Sequence, residues 1–510
     1  MSSRLRLGEL KFGAAAAEAE ATLDGGSFLE SVYVDSLEIL RRVYEGKVLI
    51  GGRKGTGKSA FAWWLSLKKQ SDRFVHLMHF KANEIEQIIQ KQEERRGEAF
   101  EELVWEWMLL CSLVKLVLQD QSIEKRLKEP LETFYSQNRG YCGPTSLELT
   151  ESIRKAEYGV KVYPINKILE LSGKRHVQTT EVKAPFFQII EPLREALIEV
   201  LSKGVNAKNE YFVVIDDLDQ GYTNSKNQQR AIVSLMRVIS RMMPRFSVHS
   251  IKFFPLVLIR TDIMSQLMEH ADTNKIWAGF GQKISWYDHS TYLRNEEEVP
   301  LRKLIESRVR YSYESADMPI PENLFDELFD NDFDGRVPFK LLLDKTLYRP
   351  RDVIEYLHMI KERYKNAYRI SRNMIEECFG QFSAFLVDEW RNELSASFAP
   401  VVVDEIFEVL RELGSQRFKI SDVERIYGDT SRRSWTLTPE ELIFHAFQFS
   451  LVCNLEGPPD KPIVTWNHRG DESNPVTVNL DAEFGINYGF QKRFAASDRK
   501  SGRLRSVFRF

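Results

Sequence analysis

Cysteine is scarce. The chain holds four in 510 residues, Cys111, Cys142, Cys378 and Cys453, scattered without paired spacing. That argues against a disulfide framework and a structural zinc site, and for a reducing, cytoplasmic compartment. Long apolar runs are also missing. The strongest, residues 103–118, carries Glu106, Ser112 and Lys115 and is shorter than a bilayer crossing, so it predicts a buried helix and no membrane association. The opening twenty residues offer Arg4, Arg6 and Lys11 but only a short alanine run, which does not read as a signal peptide. An excess of one charge is absent too: the net charge is -3, so contact with nucleic acid or anionic lipid would need a local patch. No internal repeat or low-complexity tract is visible. What remains, 43% hydrophobic and 28% charged, is the composition of a globular chain with room for roughly two to four domains, one of them a large α/β core.

The chain is organised around residues 48–60, Val-Leu-Ile-Gly-Gly-Arg-Lys-Gly-Thr-Gly-Lys-Ser-Ala. A short apolar run, a glycine-rich turn and a helix start satisfy G-x-x-x-x-G-K-[ST] from Gly52 to Ser59, the phosphate-binding loop. Chance would supply about 0.02 such matches in a chain this long. Gly52, Gly55 and Gly57 can take backbone angles closed to other residues, so the N–H groups of Gly52, Arg53, Lys54, Gly55, Thr56, Gly57, Lys58, Ser59 and Ala60 can wrap a phosphate. The helix opening near Gly57 points its positive end at the same anion. Lys58 would neutralise the β- and γ-phosphates, and the Ser59 hydroxyl would ligate Mg2+.

A second stretch completes that site. Five apolar residues, 211–215, make a strand buried on both faces, and Asp216, Asp217 and Asp219 follow at its C-terminal end, where ligands of parallel sheets bind. Asp216 would hold the metal through water, and Asp217 would orient and deprotonate an attacking water. Asp219 either supports Asp217 or serves as a loop or cap residue. Residues 253–259 predict a further parallel strand, ending at Arg260 and Thr261. Where the acid-bearing strand lies between the phosphate-loop strand and a polar-tipped one, this position senses the γ-phosphate. Thr261 as a helix cap is the structural alternative. The region 73–80 predicts another core strand, with His76 and His79 on opposite faces as ordinary strand histidines. Between about 84 and 183 the strand-helix rhythm is replaced by a helical insertion, where a partner or sensor surface is expected.

Taken together, residues 52–59, 213–219 and 258–262 resemble the additional-strand P-loop ATPases of the STAND, KAP and AAA+ kind, over about residues 8–360. They are also similar to ATPases of bacterial mobile and antiviral defence loci. The resemblance implies a doubly wound parallel sheet, ATP and Mg2+ as cofactors, and hydrolysis of the β–γ bond. It also implies a homo-oligomer and a separately encoded effector, with nucleotide state controlling one or the other. Tyr348-Arg349-Pro350-Arg351-Asp352 is similar to the lid motif in which an arginine after proline reaches the γ-phosphate, a role that falls to Arg351. Arg308 and Arg310 are candidates for an arginine finger. The expected division is a helical segment 1–44, a core 45–290, a helical lid 291–380, a winged-helix-like domain 381–491 and a basic tail 492–510. In the winged-helix-like part the third helix begins with Glu440 and Glu441, which would meet DNA phosphates with the wrong sign. The tail interleaves Arg and Lys with Phe494, Phe508 and Phe510, a pattern that suits DNA, an acidic partner or a solvated end alike. Two rival readings follow: a DNA-processing or loading ATPase, and a nucleotide switch or scaffold that does not hydrolyse.

Overall fold

The structure is a computed structural model and describes residues 4–68, 70–81, 98–138, 160–161, 183–204, 208–268, 270, 272–287, 299–330, 338–414, 417–428, 435–458, 462–470 and 476–490. The polar helix expected at 84–95, the turn at 139–144 and the basic tail lie outside those residues. The chain divides into two compact units. One comprises Met1–Leu37, Lys54–Gly57 and Ser285–Phe510; the other comprises Glu38–Arg53 and Lys58–Ile284.

The second unit is α/β. Its sheet is built from β1 (Leu49–Gly52), β2 (Arg73–His79), β5 (Glu210–Asp216), β6 (Lys252–Arg260) and β7 (Gly281–Lys283), with a separate two-residue ribbon of β3 (Val160–Lys161) and β4 (Lys183–Ala184). The order is β2-β5-β6-β1-β7 and every pairing is parallel. The architecture is compatible with a P-loop-like fold. β5 and β6 are buried nearly end to end, because helices cover both faces and leave no side for polar residues. One topological expectation is corrected: the polar-tipped strand β6, and not the acid-bearing β5, is the neighbour of β1. A chain order of strands does not fix their spatial order, since parallel neighbours are joined by crossovers of any reach.

Helix Glu98–Gln119 is buried, as its apolar run requires, but it is no free-standing surface. It packs on β2 and β5 and against helices Phe186–Gly204 and Lys226–Ser247. The Trp105 indole donates to the Ala231 carbonyl at 2.9 Å, and Asp120 accepts from Tyr211 (2.5 Å) and Asn209 (2.6 Å), tying the helix end to β5. Buried polar groups are thereby paired rather than stranded.

The other unit holds helices Pro300–Ser315 and Pro350–Arg363 within the stretch 291–380 expected as a lid, and helix Arg372–Ser395, which runs on past residue 380. The N-terminal segment laces onto it, with Leu7 N–H donating to the Ala367 carbonyl at 2.7 Å and Gly8 N–H to that of Lys365 at 3.0 Å. Phe12 and Phe28 are buried in this unit, Phe28 edge-on to Tyr311 and Phe12 edge-on to His358. Helices Pro400–Leu413, Ile420–Tyr427 and Pro439–Gln448 accompany a four-stranded antiparallel sheet of β8 (Arg417–Phe418), β9 (Val452–Glu456), β10 (Ile463–Thr465) and β11 (Glu483–Ile486), ordered β10-β9-β11-β8. β9 and β10 pair as an antiparallel hairpin. Glu441 is engaged as expected of a capping box: it accepts from Thr438 N–H at 2.8 Å and returns its own N–H to the Thr438 hydroxyl at 3.2 Å.

Candidate functional site

β1 ends at Gly52, and after the loop helix Lys58–Leu67 begins. Gly55 and Gly57 have φ of 82° and 89°, the left-handed region where a side chain is strained. Gly52 does not share that property; it closes the strand, correcting the expectation for it. Lys58 is buried and its amine turns back onto the loop, donating to the carbonyls of Gly52 (2.8 Å) and Arg53 (3.2 Å). Burial lowers its pKa below the ordinary lysine value, and the charges of Asp219 and Asp216 partly offset that. A desolvated cation held by carbonyls alone is poised for an anion.

Ser59 stands by the end of β5, where its hydroxyl acts to lower the Asp216 pKa. Asp216 is 3% exposed; its Oδ1 accepts from Asp217 N–H at 2.9 Å, and its Oδ2 has no partner. Burial first, then the neighbouring Asp217 charge, raise its pKa to about 6. Asp217 itself has φ of 68°, which swings its side chain off the strand's alternation. There it meets His79, the last residue of β2, with Nδ1 2.8 Å from Asp217 Oδ2. His79, read as an ordinary strand histidine, is the last residue of β2 and contacts this acid. The β2–β5 register sets His79 opposite Asp216, at the edge where strand ends gather polar residues, a pairing no local sequence pattern carries.

Arg260 is buried and pairs bidentately with Asp262, at 3.0 and 2.6 Å, with Asp219 at 3.7 Å from its third nitrogen. Thr261 is the first residue of helix Thr261–Leu267 and is not its cap, which is Arg260. Ala60 continues the phosphate-loop helix, half-buried.

In the unit that contains helix Pro350–Arg363, the loop residues Lys54–Gly57 accept hydrogen bonds from the start of that helix and from Trp286. Arg349 is 2% exposed; it forms a bidentate pair with Asp352 (2.9 and 2.8 Å), reaches Glu393 at 3.1 Å and donates to the Lys54 carbonyl at 3.1 Å. Pro350 stands at the helix N-terminus as expected, and Arg351 N–H donates to the Gly55 carbonyl at 3.4 Å. The Arg351 guanidinium lies 3.0 Å from Glu389, an acid that also pairs with Lys54 at 3.6 Å. The Trp286 indole donates to the Thr56 carbonyl at 2.8 Å. Arg349 and Glu389 were not singled out by sequence; the Arg-x-x-Asp spacing of 349 and 352 was the usable sign. Arg308, a finger candidate, is buried against Glu20 at 2.8 Å and the Phe12 carbonyl, and so is a structural residue; Arg310 is exposed.

Residues 300–391 match the FunZ-associated C-terminal helical domain. That stretch contains the Arg349-Pro350-Arg351 element and covers a minor part of the chain. No curated protein and no solved structure matches the chain. Among the described residues no helix is long and apolar enough to cross a membrane.

Proposed function

We propose that this chain binds ATP with Mg2+ at the loop Gly52–Ser59 and hydrolyses its β–γ bond, with nucleotide state controlling assembly or a separately encoded effector. The observation that carries the reading is the meeting of Ser59 with a buried, incompletely satisfied Asp216 at the C-terminal edge of one parallel sheet. Residues far apart in sequence converge there on a hydroxyl, a carboxylate oxygen with no partner and a buried lysine, which is the donor set a metal-bound triphosphate needs.

The residues present fit Mg2+: Ser59 and Asp216 would hold it, and when bound it would neutralise charge developing on the phosphate oxygens. Lys58 exchanges its carbonyl partners for phosphate oxygens. Asp217 accepts the proton of the attacking water, held in orientation by His79. Arg260 is a sensor candidate only if phosphate competes with Asp262 for it, and Thr261 offers its hydroxyl at the same strand end. Arg351, paired with Glu389, keeps a γ-phosphate role only as what the motif resemblance implies. A place in bacterial antiviral defence is part of the proposal, supported by the motif resemblance.

Binding of a fluorescent ATP analogue and release of phosphate test the reading. Lys58→Ala should abolish binding, and Asp217→Asn should retain it while cutting turnover by about 100-fold or more. Unchanged turnover in the Asp217 variant would remove that residue from its role; nucleotide binding by the Lys58 variant equal to wild type would defeat the proposal.

A further inference from the structure

Three donor atoms at the end of β2 and β5, one each from His79, Asp216 and Asp217, lie within 4.8 Å of one another. Two ligands at about 2.1 Å from a six-coordinate ion, at right angles, stand about 3 Å apart; His79 Nδ1 and Asp217 Oδ2 are 2.8 Å apart. The Asp216 carboxylate is 3% exposed with Oδ2 unpartnered, a costly condition that an ion would relieve. The His79 side chain, 39% exposed, stacks at a tilt on Trp63, so its ring is oriented while the site keeps an open side. Nothing in the P-loop motif asks for a nitrogen donor here.

We infer that His79, Asp216 and Asp217 form a resident site for a first-row transition divalent cation of the Mn2+ type, loaded before any nucleotide arrives; once phosphate oxygens enter, Ser59 and Asp216 would keep the ion, and Asp217 and His79 would be released to act on water. The donor chemistry sets the class. An all-oxygen site suits Mg2+, whereas an imidazole with two carboxylates favours a transition ion that accepts nitrogen and oxygen alike. The open side leaves positions for water and, later, a phosphate oxygen. The inference deepens the proposed nucleotide site, and it rests on that reading only for the later arrival of phosphate.

The test is Mn2+ titration of the nucleotide-free, full-length protein, followed by electron paramagnetic resonance for stoichiometry and pulsed resonance for 14N coupling. One ion per chain with nitrogen coupling is expected. His79→Gln, a change at a half-exposed position, should erase the coupling and weaken Mn2+ about tenfold or more, and Asp216→Asn should abolish uptake. Mg2+ should displace Mn2+ only in large excess. Lys58→Ala should keep the ion and its coupling while losing ATP, so failure of the nucleotide reading and failure of this one are separable. No uptake without nucleotide, uptake without nitrogen coupling, or a His79→Gln variant like wild type would overturn the inference.

Discussion

Lys58 is the side chain whose surroundings make least sense without an anion. It is buried, bonded to two carbonyls, and has no ion pair among the described residues. Arg349 is the opposite case, a buried cation fully answered by Asp352 and Glu393. Arg349→Met should therefore leave two buried carboxylates uncompensated and cost about 3–5 kcal/mol, read as a fall in the urea midpoint at unchanged slope. His76 supplies a pH prediction. Its Nδ1 is buried without a partner, and burial lowers its pKa from 6.5 to about 4, with Lys115 adding to the effect. The folded-state value lies below the unfolded one, so between those limits the unfolded chain takes up a proton that the folded chain refuses. The contribution is whole above pH 6.5 and is lost as pH falls toward 4, on the order of 2 kcal/mol after allowing for partial exposure. His76→Gln should flatten that part of the stability curve in denaturant titrations at pH 7, 5.5 and 4.5.

At the scale of elements, the loop between β1 and helix Lys58–Leu67 owes its shape to two left-handed glycines. Gly55→Ala adds a methyl at φ of 82° and brings it 3.1 Å from Arg351 Cβ, whereas Gly57→Ala at 89° has its nearest neighbours at 4.0 Å. Both should cost about 1–2 kcal/mol in thermal unfolding, the Gly55 change more, and both should lose ATP affinity. Equal penalties would show that the Arg351 contact is slack. The elements legible in sequence were those with their own pattern: β5 and β6 as apolar runs ending in charge, and helix 98–119 as a long apolar stretch. β8 and β11 were illegible because two residues, or four with Gly485 among them, carry no alternation and exist only by pairing with strands distant in the chain. The same holds for the site. Lys58, Ser59 and Asp216 stand in local motifs, while His79 acquires meaning only from the strand laid beside it and Glu389 only from the loop it reaches.

For the whole molecule, the proposal predicts linkage between ligand and stability. ATP with divalent cation at about 100 times its Kd should stabilise the fold by about 2.7 kcal/mol in thermal melts, and Lys58→Ala should erase the shift. Light scattering with and without ATP tests control of assembly: a nucleotide-dependent change of mass is expected, and constancy would leave only the effector route. The charge balance predicts no DNA retention at physiological salt beyond what residues 492–510 provide, checked by gel shift with and without them. Glu389 has a consequence of its own. One acid silences two positive charges, Lys54 and Arg351, so a polyanion recruiting either must first pry that acid loose, and part of its binding energy goes into the release. Glutamine at 389 would hand that energy back, giving a protein that holds its ligand more tightly and lets go of it more slowly.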